Sequence, residues 1–270
     1  MPRNNVIPDG NEEIAAEIPP IVGVIARTAR WVHPQTFQAL PVWCPWTARK
    51  RPLYDSKWQQ RATNTRRDTG VTSEKFEGNV AAANALMAAL SVAPPKPKNW
   101  TVCHIWGYDD NRFTSESNIV RNPRYYSCVG NMIWLPSALK AFTDGLPEIK
   151  AMLRTCAFHL YGWVCEDPGV KPQADAIRGG AVPEGYPTDW PSPERPGLLP
   201  PGTAPYDDAV RSEIRRRKAR IAAMLEDDTL NCLDRDELRR VLGDCRVQLQ
   251  CWEPTAGLSE TRPGSLPPRS

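Results

Sequence analysis

The chain has 270 residues, and its 34 Lys and Arg residues nearly balance its 31 Asp and Glu residues, which leaves a formal charge of +3. So small a charge excludes a protein whose whole surface binds polyanions, and any basic site must therefore be local. With 41% apolar residues and ten tryptophans, the composition also excludes a disordered chain and predicts a folded core.

The first residues, the apolar runs and the cysteines together predict a cytoplasmic location. Residues 1–17 are polar and partly acidic, whereas a secretory signal has a basic start and then an apolar stretch. The longest mostly apolar run, Val80 to Val92, is too short to cross a bilayer, so we expect no membrane contact. The eight cysteines include no Cys-x-x-Cys pair, and we expect reduced thiols.

Composition changes along the chain predict five parts. These are a mobile polar arm (1–20), a main α+β domain (21–167), a linker (168–205), a helical hairpin (206–252) and a disordered tail (253–270). The linker is predicted from ten prolines between Pro168 and Pro205. Because proline lacks a backbone donor and fixes φ, we expect neither a helix nor a central strand there.

In the main domain, residue periodicity predicts helices and strands in a mixed order. The predicted elements are a helix at 79–91, strands at 100–106 and 131–135, a helix at 138–143 and a longer helix at 147–163. A polar excursion at 109–123 separates the two strands. The order of strand, long loop, strand and helix is the pattern on which the functional prediction depends.

The C-terminal part is predicted to form two helices. Residues 206–225 are strongly basic, with an apolar stripe of Val210, Ile214, Ile221 and Leu225, and a second helix follows at 234–249. So small a hairpin rarely stands alone, so we expect it to pack on the main domain or to contact a protein partner through residues 168–270.

The most informative residues lie at the ends of the two predicted strands. Cys103-His104-Ile105-Trp106 closes the first strand, and Asn131 opens the second 27 residues after the histidine. With the helix that follows, this segment at about 98–145 resembles the ββα-metal module of HNH-type endonucleases. The wider chain also resembles uncharacterised bacterial proteins that share Cys-His-Ile-Trp, Asn-x-x-x-Leu-Pro and Thr-Asp motifs.

The HNH resemblance implies a nuclease that hydrolyses phosphodiester bonds in DNA with a divalent ion, Mg²⁺ or Mn²⁺. His104 would deprotonate water, since an imidazole titrates near neutral pH, and Asn131 would hold the loop that carries the histidine. Oxygen and nitrogen ligands would hold the ion. The candidate ligands are His104, Asp144, Asp109 and Asp110, and the candidate phosphate contacts are Arg112, Arg121, Arg124, Lys140, Arg66 and Arg67.

Two positions depart from the HNH pattern. Cys103 precedes the histidine, where the family has an acid or a second histidine, and Lys140 stands nine positions after Asn131, where the family has a ligand. A protonated lysine cannot bind a metal, but Asp144 lies one helical turn further on the same face. The sequence therefore predicts an altered metal site.

Several alternatives stay open at the level of sequence. The chain could be a non-enzymatic interaction or scaffold component of a bacterial or phage assembly, or a nucleic-acid-binding module that has lost hydrolysis. Cys103, Cys128 and His104 could hold zinc, although tetrahedral sites usually use close ligand pairs. Glu148 and Lys150 match the Glu-x-Lys pair of another nuclease fold, but that pair belongs on a strand, and a helix is predicted here.

Overall fold

The computed structural model describes residues 9–46, 48, 63–65, 72–74, 79–93, 95–107 and 119–226. The predicted second helix of the hairpin, the tail and most of the polar excursion lie outside these residues. Within them the α-helices are α1 (Gly10–Glu13), α2 (Ile18–Thr28), α3 (Pro34–Ala39), α4 (Val80–Ala89), α5 (Pro123–Tyr126), α6 (Lys140–Gly145), α7 (Pro147–Tyr161), α8 (Lys171–Arg178) and α9 (Asp208–Glu226). None of the described helices is long and apolar enough to cross a membrane.

The strands form two small antiparallel sheets. β1 (Thr63–Thr65) pairs with β2 (Thr72–Glu74), and β3 (Trp100–His104) pairs with β4 (Met132–Pro136). In the second sheet, His104 lies opposite Met132 and Trp100 lies opposite Pro136. Helices and antiparallel strands occur together, which confirms the predicted α+β class.

β4 lies at the centre of the core. Its residues from Met132 to Leu135 are all buried, as expected for a continuous apolar run with both faces covered. β3 pairs along one edge, and at the other edge Arg30 exchanges two backbone hydrogen bonds with Trp134 at 2.9 and 3.2 Å. The second predicted strand is therefore held from both sides.

The elements predicted around this sheet are confirmed with small shifts in their ends. α4, β3, β4 and α6 lie where helix, strand, strand and helix were predicted. α7 begins at Pro147 and ends where Gly162 adopts a left-handed φ of 66°, a conformation that glycine reaches without steric cost. Glu148 and Lys150 therefore lie on a helix, as predicted, and not on a strand.

The N-terminal segment differs from the predicted mobile arm. From Gly10 onward the chain is largely helical, and α2 begins at Ile18 inside the predicted arm. Pro19 and Pro20 fit because a helix's first turn needs no backbone donor there. Val22 and Ile25 then bury one face of α2 in the core.

The segment predicted as a linker, residues 168–205, is part of the folded core. It contains α8, whose Pro172 lies in the first turn and whose Ala174 and Ile177 are buried. Trp190 is fully buried and makes an edge-to-face contact with Trp31 at 5.7 Å. The prediction of no helix was wrong because proline is excluded only from a helix interior, and the dense prolines do not prevent apolar side chains from packing.

The basic helix is confirmed as α9, and it packs on the main domain. Val210, Ile214 and Ile221 are buried, and α9 packs against α3 and α4. The guanidinium of Arg220 lies 4.7 Å from the ring centre of Trp46, a distance at which a cation and an aromatic face attract each other.

Two glycines test whether the 168–205 segment is docked on the core. Gly202 and Gly197 both have a positive φ, +78° and +76°, but an added Cβ at Gly202 would lie 2.2 Å from the Ala29 carbonyl, whereas at Gly197 it meets nothing within 4 Å. We expect Gly197→Ala to lower the free energy of unfolding by about 1 kcal/mol through φ strain alone. Gly202→Ala should lower it by about 2–4 kcal/mol through strain and overpacking. Urea denaturation measures both, and equal effects would contradict the docking.

Candidate functional site

His104 lies at the end of β3, and its ring is held by a backbone carbonyl. The residue is 8% exposed, its Nε2 lies 2.8 Å from the Tyr126 carbonyl oxygen, and its ring stacks on the Tyr126 ring at 5.7 Å. Because a carbonyl can only accept, Nε2 carries the hydrogen. In the neutral ring the lone pair is therefore on Nδ1.

Asn131 anchors the backbone that follows this histidine and the backbone of α5 just before the Tyr126 carbonyl. It is fully buried, and its Oδ1 accepts from the Trp106 backbone N–H at 2.8 Å. Its Nδ2 donates to the Trp106 carbonyl and to the Tyr125 carbonyl, both at 3.0 Å. The side chain thus ties the chain after His104 to the chain that supplies the Tyr126 carbonyl.

The position of the turn that carries Asn131 depends on the preceding residue, Gly130, which packs against two aromatic rings. A Cβ on Gly130 would lie 2.8 Å from Cε2 of Phe37 and 3.3 Å from Cε3 of Trp163. Only a residue without a side chain fits between these two rings. The Gly130-Asn131 pair is therefore a packing requirement of this site as well as a turn.

Cys103 faces the opposite side of the sheet from His104, since side chains alternate along a strand. Its Sγ lies 3.1 Å from Oγ1 of Thr143 on α6. Oγ1 of Thr143 also donates to the Lys140 carbonyl at 2.8 Å, and the Cys103 thiol donates to the His104 carbonyl at 3.7 Å. Burial raises the pKa of the Cys103 thiol, which keeps it protonated at neutral pH.

Asp144 and Lys140 pair with each other on α6. Their side chains form an ion pair one turn apart and are 34% and 38% exposed. The negative charge of Asp144 adds to the effect of burial in raising the pKa of the Cys103 thiol. The Asp144 carboxylate is therefore already occupied by an ammonium group.

Two of the remaining predicted site residues, Arg124 and Arg121, lie within the described structure. The guanidinium of Arg124 lies 5.5 Å from the ring centre of Tyr125. The backbone of Arg121 ends the 3-10 turn Ile119–Arg121. The other predicted residues lie outside the described residues; they are Asp109, Asp110, Arg112, Arg66 and Arg67.

The described residues do not by themselves fit the divalent ion that the resemblance implies. Mg²⁺ and Mn²⁺ prefer oxygen ligands, but Cys103 presents a protonated thiol and Asp144 is paired with the Lys140 ammonium. Nor does any group of three His, Cys, Asp or Glu residues suited to a metal occur in the described part of the chain. A zinc set of Cys103, Cys128 and His104 is likewise not assembled there.

Three contributions to the site were missed in the sequence. The Tyr126 carbonyl has no sequence signal, because any residue supplies a carbonyl. Lys150 and Arg154 are 2% and 1% exposed, and Nε of Arg154 donates to the Ile105 carbonyl at 2.8 Å, next to His104. Their signal was present: two cations four residues apart within the apolar stripe of a helix.

Comparison with known proteins gives this site no assignment. No protein-family model matches the chain, and neither does a curated protein or a solved structure.

Replacing Asn131 tests the anchoring of the His104 loop. Asn131→Ala leaves the Trp106 N–H and two buried carbonyls without their partner, so we expect the free energy of unfolding to fall by about 3–5 kcal/mol. The control, Asn122→Ala, removes only the cap of α5, in which Asn122 accepts from the Arg124 backbone N–H at 2.9 Å. The Asn122→Ala change should lower the free energy of unfolding by about 1 kcal/mol. Urea denaturation that gives similar losses for the two variants would contradict the account.

Proposed function

We propose that this chain is an HNH-like nuclease that hydrolyses phosphodiester bonds in DNA, with His104 as the general base. One observation supports the proposal more than any other. The Tyr126 carbonyl holds the proton on Nε2 of His104 at 2.8 Å, and Asn131 fixes the backbone around both residues. A histidine with one nitrogen oriented by an acceptor is the arrangement that general-base catalysis needs.

The proposed step moves one proton. Nδ1 of His104 takes a proton from water, and the resulting hydroxide forms a bond to the phosphorus atom. The phosphorus–oxygen bond to the sugar breaks, and the departing sugar oxygen keeps the bonding pair and takes a proton from solvent water. The imidazolium keeps its Nε2–H bond to the Tyr126 carbonyl, whose oxygen carries the partial negative charge that stabilises it. The proposal covers this step alone, because the described residues supply no ligand set for a divalent ion.

The outward surface of α9 is consistent with a polyanionic substrate. Its exposed side chains include Arg215, Arg216, Lys218 and Arg220. Arg216 pairs with Glu213, so part of the charge is already neutralised. The remaining cations favour contact with phosphates, and such binding weakens as salt increases.

A second candidate is a nucleic-acid-binding module that does not hydrolyse its ligand. The contacts on the Cys103 side favour it. The two positions at which the HNH pattern has ligands hold a thiol in contact with the Thr143 hydroxyl and an ammonium that pairs with Asp144. The Lys140 ammonium cannot replace a metal ion, because it accepts no electron pairs and therefore cannot act as a Lewis acid on a phosphate.

Plasmid cleavage by variants of His104 separates the two candidates. His104→Gln keeps an N–H that can reach the Tyr126 carbonyl but lacks a base, so in Mg²⁺ or Mn²⁺ we expect at least about a 100-fold loss of nicking rate. The matched control is His159→Gln on α7, which should cleave at the wild-type rate. Equal rates of cleavage by the wild type and His104→Gln would contradict the proposal that His104 is the general base. DNA binding without cleavage by the wild type supports the second candidate.

A further inference from the structure

A layer of arginine and tryptophan side chains lies where α9 meets the segment that follows α3. The guanidinium of Arg217 lies 5.8 Å from the ring centres of both Trp43 and Trp46. It also pairs with Glu213 at 3.2 Å and donates to Sγ of Cys44 at 3.6 Å. Because Trp43 is fully buried and four side chains contact Arg217, this arginine is the fixed inner part of the layer.

Arg220 is the outer part of the same layer. Its guanidinium lies over the half-buried Trp46 ring, 4.7 Å from the ring centre, and the residue is exposed. Within the described residues, the ion pairs of α9 involve Arg211, Arg216 and Arg217, and not Arg220. An exposed planar guanidinium that lies against one ring can stack a second planar group on its other face.

The surface of α9 around Arg220 is cationic. Residues 209–225 include six basic residues and a single acidic residue, Glu213. That carboxylate already pairs with Arg216 and Arg217. Arg216 lies four residues before Arg220 and therefore on the same side of the helix. The charge of this surface complements a polyanion, and the layer adds a planar group that can stack.

The layer is also connected to the backbone that holds His104. The backbone N–H of Cys44 donates to the Ser127 hydroxyl at 2.8 Å, and Ser127 follows Tyr126, whose carbonyl oxygen lies 2.8 Å from Nε2 of His104. Trp46 is two residues after Cys44, and consecutive Cα atoms are 3.8 Å apart, so Trp46 lies less than about 20 Å from that carbonyl. A strand that rises about 3.4 Å per nucleotide covers this distance with about six nucleotides.

We propose that the exposed Arg220 guanidinium, supported by Trp46 and Arg217, stacks on an unpaired base of a single-stranded nucleic acid. Bases within a duplex stack on one another and present only their edges, whereas an unpaired base presents a flat face to an arginine or an aromatic ring. Arg216, on the same side of α9, supplies charge for the neighbouring phosphates. That the strand is DNA, and that it is the strand cleaved, rests on the proposed function.

Fluorescence anisotropy of labelled oligonucleotides tests this stacking site in the full chain. The ligands are an oligothymidylate of about 20 nucleotides and a duplex of the same length, both in EDTA, which removes divalent ions. Arg220→Lys keeps the charge but removes the planar group, so we expect at least about a 5-fold loss of affinity for the single strand and less than about a 2-fold change for the duplex. The matched control is Arg215→Lys. Arg215 is exposed on the same helix and contacts no aromatic ring within the described residues, so this variant should bind both ligands as the wild type does.

The salt dependence of binding separates stacking from charge. Arg220→Lys should keep the wild-type slope of log affinity against log salt, whereas Arg220→Gln should reduce it by about 0.7. The stacking site would be overturned if the wild type binds no single strand, if it binds the duplex more tightly, or if Arg220→Lys and Arg215→Lys have equal affinities for the single strand. Competition by polyglutamate as strong as that by oligothymidylate would indicate an acidic protein partner and would also overturn it.

An oligouridylate of the same length identifies the kind of strand. Binding of either strand that is weakened by Arg220→Lys supports the stacking site, and tighter binding of oligothymidylate supports DNA. Tighter binding of oligouridylate would leave the stacking site in place and would count against DNA as the ligand. All these readouts are binding measurements without divalent ions, so a failure of DNA cleavage would leave them intact and would count against the proposed function alone.

Discussion

The pairing of the buried Asn131 amide is the interaction on which the site depends. A buried amide is stable only when its donors and acceptor are satisfied, and here the partners are backbone groups of Trp106 and Tyr125. These groups lie on the two segments that flank His104 and supply the Tyr126 carbonyl. One side chain thereby fixes the loop after β3 and the turn before β4 in a single arrangement.

This arrangement divides β3 into two chemical sides. On one side, His104 contacts the Tyr126 carbonyl and stacks on the Tyr126 ring. On the other side, the Cys103 thiol contacts the Thr143 hydroxyl on α6. On the same helix, Lys140 forms an ion pair with Asp144. The His104 side is therefore fixed by backbone contacts, while on the other side Lys140, where the HNH resemblance implies a ligand, is paired with Asp144.

The sequence predicted the local elements well because their signals are local. The periodicity of α4 and α7, the apolar run of β4 and the strand–loop–strand–helix order all depend on neighbouring residues. His104 and Asn131 could be related through their spacing and the family resemblance. The side of the sheet that each residue faces depends on register, and the pairing of His104 with Met132 is fixed by contacts far apart in the chain.

The wrong predictions for the arm and the linker also concern contacts between residues far apart in the chain. Proline content alone could not show that Trp190 packs on Trp31, and a polar start did not reveal that α2 buries Val22 and Ile25.

The most direct test of the central claim is which nitrogen of the neutral His104 ring carries the hydrogen, measured by ¹⁵N NMR of its two nitrogens. The account predicts the hydrogen on Nε2 and the lone pair on Nδ1, whereas a neutral ring with its hydrogen on Nδ1 would contradict it.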